Sequence, residues 1–189
     1  FELMLSSFIL GLAIGGFLIR RRIDHFKYPL RVLVMIQVLM GVLAALTVPL
    51  YGVTFDMMSW VLGALGRTEH VYVLFSEFKH VIAMLVMLPT TILAGMTLPI
   101  ITHTLLRAGQ GEQAIGKVYA INTLGAIVGV LLASLLVMPL LGLREVILAG
   151  ALLDLGVGLV LWILLRNEAG MGKGHSTLWL KSFVVVSIA

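Results

Sequence analysis

Long, almost uncharged apolar blocks constrain this chain more than any other feature. They occupy residues 1–19, 31–52, 75–106, 117–139 and 144–165, and a further block begins near 178. A hydrocarbon core of roughly 30 Å needs about 20 apolar residues in a helix. In that medium every backbone N–H and C=O must be satisfied inside the protein, which leaves helices or a closed barrel. Barrel strands need segments of about ten residues with strict in/out alternation. These blocks are instead continuously apolar and rich in Leu, Ala and Gly. The expectation is an all-α polytopic transmembrane helix bundle: five spans plus the start of a sixth at 178–189, forming a single transmembrane domain over 1–189.

Composition agrees with that solvent. Apolar residues make up 60% of the 189 positions and charged residues 12%, where a soluble domain is about half apolar and about a quarter charged. Further spans follow the first block at once, so it is not a removable signal peptide. The chain begins at Phe1 and stops inside an apolar run, so it reads as a segment truncated at both ends. It has no cysteine, which excludes disulfides and thiolate metal sites. The third block is too long for one straight span. Proline removes a backbone donor and crowds the preceding turn, so Pro89 and Pro99 predict kinks near 86–89 and 96–99.

The connections set the orientation. Arg20, Arg21, Arg22, Lys27 and Arg31 follow the first block, Arg107 and Lys117 flank the third connection, and Arg166 and Lys173 belong to the fifth. The second and fourth carry one basic residue each, Arg67 and Arg144. The positive-inside rule therefore makes 20–30, 107–116 and 166–177 cytoplasmic loops, in a bacterial inner membrane. Flanked by spans, the basic cluster at Arg20, Arg21 and Arg22 fits anionic lipid headgroups and not nucleic acid. The second connection, 53–74, is the one outer loop of any size. Asp56 is a candidate N-cap and Trp60 an interfacial aromatic, which fits a short helix lying in the interface; a lid over a central cavity is the alternative.

Small residues mark helix contacts. Ser7, Gly11 and Gly15 recur four apart, as do Gly125, Gly129 and Ala133, and such stripes let backbones approach in lipid. Asn122 lies about one and a half turns inside its span, where an amide bonds to a neighbouring helix for roughly 1 kcal/mol. That makes it a packing joint beside the Pro89–Pro99 helix, with a site role as the competing reading.

Ionisable groups at membrane depth are costly, so they face the bundle interior and mark candidate sites. Asp154 lies about 15 Å into its block, near the midplane, with no basic neighbour on its own helix. It is therefore protonated, paired with another span or open to a wet cavity. Glu77 and His80 share a helix face in the outer third of their span, as a proton or cation relay or an interfacial ion pair with Lys79. Gln37 and Glu2 are further candidates, and His103 belongs near the cytoplasmic end. Asp154, Glu77, His80, Gln37 and Asn122 are thus the candidates for substrate or proton handling. No phosphate loop, nucleophile elbow or metal-spaced cluster is present, so no catalytic residue, metal or cofactor is expected from this segment.

Three stretches carry a resemblance: "FELMLSSFILGLAIGGFLIRRRIDHFKYPLR", "LPTTILAGMTLPIITH" and "IGKVYAINTLGAIVGVLLASLLVMPLLGLRE". Pro89, Thr90, Gly95, Thr97 and Pro99, then Tyr119, Asn122, Thr123, Gly125 and Ala126, then Pro139, Gly142 and Arg144 match motifs of one family. Over most of 1–155 the chain resembles the membrane region of spermidine synthase-like proteins. The same region is similar to a six-helix half of a major facilitator transporter, although of that superfamily's loop motif only Asp24 and the basic character remain, and Arg20 stands where a glycine is expected. The first resemblance implies an anchor for an aminopropyltransferase-type domain, absent from this chain, and polyamines or related amines as partners beside the bilayer. The second implies a secondary transporter of a small solute. If the orientation is right, a cysteine placed at His25 should resist an impermeant thiol reagent in intact cells and react only after permeabilisation; labelling in intact cells contradicts the topology.

Overall fold

The computed structural model describes residues 2–65 and 69–168, with side chains described for all of these except 3, 51, 54–80, 83 and 167–168. Helix α1 covers Glu2–Arg20, α2 Pro29–Leu65, α3 Glu69–Arg107 and α4 Gln113–Leu132. After α4 come a π-helical turn over Ala133–Val137, the short α5 (Met138–Leu141) and α6 (Leu143–Glu168). Among the described residues there is no strand. Four segments are long and apolar enough to cross a membrane: Pro29–Leu50, Met84–Arg107, Gln113–Leu141 and Leu143–Arg166. The apolar part of α1, Met4–Arg20, is shorter than these. The start of a sixth span at 178–189 lies outside the described residues.

Two boundaries differ from the expectation. The outer loop at 53–74 is largely helix: α2 runs on to Leu65 and α3 begins at Glu69, so the helix around Trp60 is continuous with α2. Hydropathy falls past Leu50, but no residue there stops a helix. Extending an existing helix costs less than nucleating a new one. Pro49 sits inside α2, and Pro89 and Pro99 inside α3, without ending either helix. Threonines support α3 next to its prolines. Thr91 Oγ1 donates to the Met87 and Leu88 carbonyls at 3.0 and 3.1 Å, and Thr102 Oγ1 to those of Leu98 and Pro99, each at 3.0 Å. Neighbouring helices and hydroxyl side chains are what allow proline within membrane helices.

Glycine fixes the turns. After α3, Gly109 takes φ +74°, the Gly109 N–H bonds to Leu106 O at 3.0 Å and the Gln110 N–H to Leu105 O at 3.2 Å. This is a left-handed helix stop that satisfies two terminal carbonyls. Between α5 and α6 the whole reversal rests on Gly142 at φ +95°, a conformation that strains any residue with a Cβ. The π-helical turn precedes Pro139, which cannot donate a backbone bond, and there the Met138 N–H reaches back to Ala133 O.

Helices pack through two close crossings. Helices α1 and α3 run parallel and touch at Gly11, Gly15 and Gly95. A methyl on Gly95 falls 2.8 Å from Leu12 Cα, and one on Gly15 falls 2.9 Å from the Ile92 carbonyl carbon. Helices α2 and α6 are antiparallel. A methyl on Gly41 meets Ala151 O at 2.8 Å, and one on Gly158 meets Val38 Cγ2 at 2.9 Å. The buried apolar core gathers at the basic ends of the helices, with Ile19 and Ile23, Leu33 and Ile36, Ile100, Ile101 and Leu105, and Ala114 and Val118.

The second glycine stripe behaves differently. Helix α4 joins the bundle through Ala114 and Val118, and beyond them most of its side chains are exposed. Gly129, expected at a helix contact, has no neighbour within 4 Å of the place a methyl would occupy. Its face is covered by no described helix, because lipid solvates an apolar helix as well as a protein neighbour does. The two stripes therefore predict opposite outcomes. Gly95→Leu should destabilise the protein in detergent by at least about 2 kcal/mol through overpacking. Gly129→Ala should be neutral or stabilising by up to about 1 kcal/mol. Equal effects in a denaturant titration would contradict the assignment of the α1–α3 crossing.

Candidate functional site: a polar cavity between three helices

The faces that pack α2, α3 and α6 carry polar side chains, and one from each helix meets the others. On α2, Gln37 lies one turn from Leu33 and one from Gly41. On α6, Asp154 lies between Ala151 and Gly158, both buried. On α3, Thr97 lies one turn before Ile101. Residues three and four apart share a helix face, so the positions that bring the helices together also bring these three groups together. They line one cavity of about 150 Å³, closed by Leu33, Met40 and Ile101. By the rise of a helix the cavity lies about 12 Å from Pro29, 15 Å from Arg107 and 18 Å from Arg166, well inside the apolar segments.

The polar lining is matched in character. Gln37 is 8% exposed, and Asp154 is partly buried. Thr97 Oγ1 donates its proton to Ala94 O at 2.8 Å, so its oxygen presents lone pairs to the cavity. Among the described residues no basic side chain lines the space. Among the described residues neither lysine nor arginine stands there to balance a carboxylate, and an unpaired charge within the apolar segments is expensive. The arrangement suits a group that brings positive charge or hydrogen-bond donors of its own.

Of the candidates read from sequence, Asp154 and Gln37 are brought together here. Asn122 is half-buried on α4 and outside the cavity, with the neighbouring Thr123 Oγ1 bonded to Tyr119 O at 2.9 Å. Glu2 is exposed at the start of α1. The side chains of Glu77 and His80 lie outside the described residues. Among the described residues no group of three metal-ligating side chains exists. Thr97 was visible in sequence only as part of a motif, since nothing local shows that it faces Gln37 and Asp154.

A second polar cluster ties the loop after α1 to the end of α3. His103 Nε2 lies 3.3 Å from Asp24 Oδ1, while Arg107 donates to the backbone carbonyls of Asp24 at 3.2 Å and Phe26 at 3.4 Å. Asp24 is 79% exposed, so the ion pair itself contributes at most about 1 kcal/mol; the carbonyl bonds and the buried Ile23 give the contact its definition. Three of the exposed basic residues outside it stack on aromatic rings: Arg21 over Phe17 and Arg31 over Tyr28, both at 4.7 Å, and Arg166 over Trp162 at 5.5 Å. Aromatic and basic side chains at one level are characteristic of a membrane interface.

No family model, curated protein or solved structure matches this chain. Fold and composition define its class: an integral membrane protein of long apolar helices whose outer surface contacts lipid, with a polar, partly open cavity lined by three of them.

Proposed function

We propose that this chain is the membrane domain of a spermidine synthase-like protein, anchoring an aminopropyltransferase-type domain and handling polyamines or related amines. The observation that carries the reading is the convergence of Asp154, Gln37 and Thr97 on one cavity within the apolar segments. A carboxylate without a basic partner is the natural counter-ion for an amine cation. The motif residues also have physical roles here. Gly95 is a point of backbone contact, Thr97 lines the cavity and Gly142 makes the turn only glycine makes easily. In this reading the domain contributes no catalytic residue; any aminopropyl transfer belongs to the soluble part. The basic loops face the cytoplasm of a bacterial inner membrane, and Arg20, Arg21 and Arg22 meet anionic headgroups.

A facilitator-like secondary transporter of a small solute, coupled to protons, is the second reading. It is favoured by the contact of Asp24 with His103 and Arg107, which pins a loop to the end of a membrane helix in the way a gate is held shut. Uptake of labelled putrescine and spermidine into vesicles containing the full-length protein tests the amine reading. Asp154→Asn should reduce uptake or retention by at least about tenfold, the scale of losing a buried ionic contact, with unfolding in detergent unchanged. Undiminished handling of both amines by a folded Asp154→Asn protein removes Asp154 from the function.

A further inference from the structure

The cavity is specific about what it accepts. Each of its three polar groups carries an acceptor oxygen: the Asp154 carboxylate, the Gln37 amide, which also has an NH2 donor, and the Thr97 hydroxyl, whose proton is already given to Ala94 O. The remaining wall, Leu33, Met40 and Ile101, is apolar. A bare metal ion requires a nearly complete oxygen shell, which three side chains in an apolar wall do not supply. A volume of about 150 Å³ is one in which a protein cavity holds a molecule the size of benzene, so the inserted part of an occupant has about six non-hydrogen atoms and the rest projects through the open side. Among the described lining residues there is one carboxylate, and therefore compensation for one positive charge.

We infer that the cavity between α2, α3 and α6 binds a single primary alkylammonium group, and that a proton on Asp154 competes with it. The inference deepens the amine reading above and rests on the cavity being its solute site. The ammonium donates its N–H groups to Asp154, Gln37 and Thr97, while its short carbon chain lies against Leu33, Met40 and Ile101. A diamine enters by one end only, its second charge staying outside, because among the described residues no second acid lines the space.

Competition with the proton follows from the surroundings. Among the described residues Asp154 is the sole titratable group lining the cavity: α2 contributes Leu33, Gln37 and Met40, and α3 contributes Thr97 and Ile101. The other elements against α6, the π-helical turn and α5, carry no ionisable side chain. With one cation or one proton to balance Asp154, each displaces the other. Binding of the amine is therefore strongest at high pH and falls as pH is lowered, by up to about tenfold per pH unit once the free site is protonated.

Calorimetric titration of the full chain in detergent with butylammonium, tetramethylammonium and sodium ions tests this without reference to transport. The expected result is saturable one-to-one binding of butylammonium that weakens as pH falls. Tetramethylammonium, which has no N–H donor, and sodium should bind at least about tenfold more weakly, the usual cost of leaving buried acceptors unpaired. Asp154→Asn should abolish butylammonium binding and Thr97→Val should weaken it several-fold, with thermal unfolding of both variants followed in parallel. Binding that ignores pH, an equal response to tetramethylammonium or sodium, or full affinity in folded Asp154→Asn overturns the inference. Should a variant fail to fold, the pH series and the three cations on the wild-type chain decide alone. Butylammonium binding without any polyamine uptake by vesicles overturns the amine-handling function and leaves this site standing; polyamine uptake without butylammonium binding does the reverse.

Discussion

Backbone contact between helices is the constraint on which this structure depends. Lipid supplies no hydrophobic force to press one apolar helix on another, so contact must come from close packing and from polar groups. At Gly15 and Gly95 the α1 and α3 backbones meet with no side chain between them, Gly11 makes room for Thr91, and on the other pair Gly41 makes room for Leu155 and Gly158 for Val38. Those crossings fix the rotation of each helix about its axis. Gln37 stands one turn from Gly41, and Asp154 one turn from Gly158, so the same contacts that hold α2 on α6 turn both polar groups inward. The cavity is thus a consequence of how the bundle is jointed.

Much of this was legible in the sequence. The lengths of the apolar blocks mark the helices, and the Gly11–Gly15 spacing marks a surface suited to close approach. Asp154 and Gln37 stand out as polar residues inside apolar blocks. Other features were not legible, for identifiable reasons. The extension of α2 to Leu65 is invisible to hydropathy, because a helix ends at a backbone signal and not where its side chains turn polar. Gly125 and Gly129 repeat the spacing of Gly11 and Gly15, yet the space beside Gly129 is open; spacing reports what a helix permits, and the partner is a tertiary fact. The pairing of Asp24 with His103 and Arg107 joins residues far apart in the chain, which no local pattern encodes. Glu77, His80 and the block at 178–189 lie outside the described residues.

The two polar clusters divide along the membrane. Asp24, His103 and Arg107 stand at the basic end, beside exposed cations stacked on aromatic rings. Gln37, Thr97 and Asp154 stand deeper, where water is scarce and a carboxylate is costly. Exposed charge at the basic end stays solvated at little energetic consequence, whereas one carboxylate at depth, with no basic partner among the described residues, demands one. That asymmetry is why the amine reading rests on the inner cluster, and why the loop contact bears on gating.

Chemical access to Thr97 tests the central claim most directly, because the chain contains no cysteine and a single introduced thiol reports on one place. In Thr97→Cys, an ammonium-bearing methanethiosulfonate reagent should modify the thiol faster than a neutral reagent of equal size, and butylammonium should slow the reaction. Inertness to both reagents, or modification that butylammonium does not slow, would contradict a cation site between α2, α3 and α6.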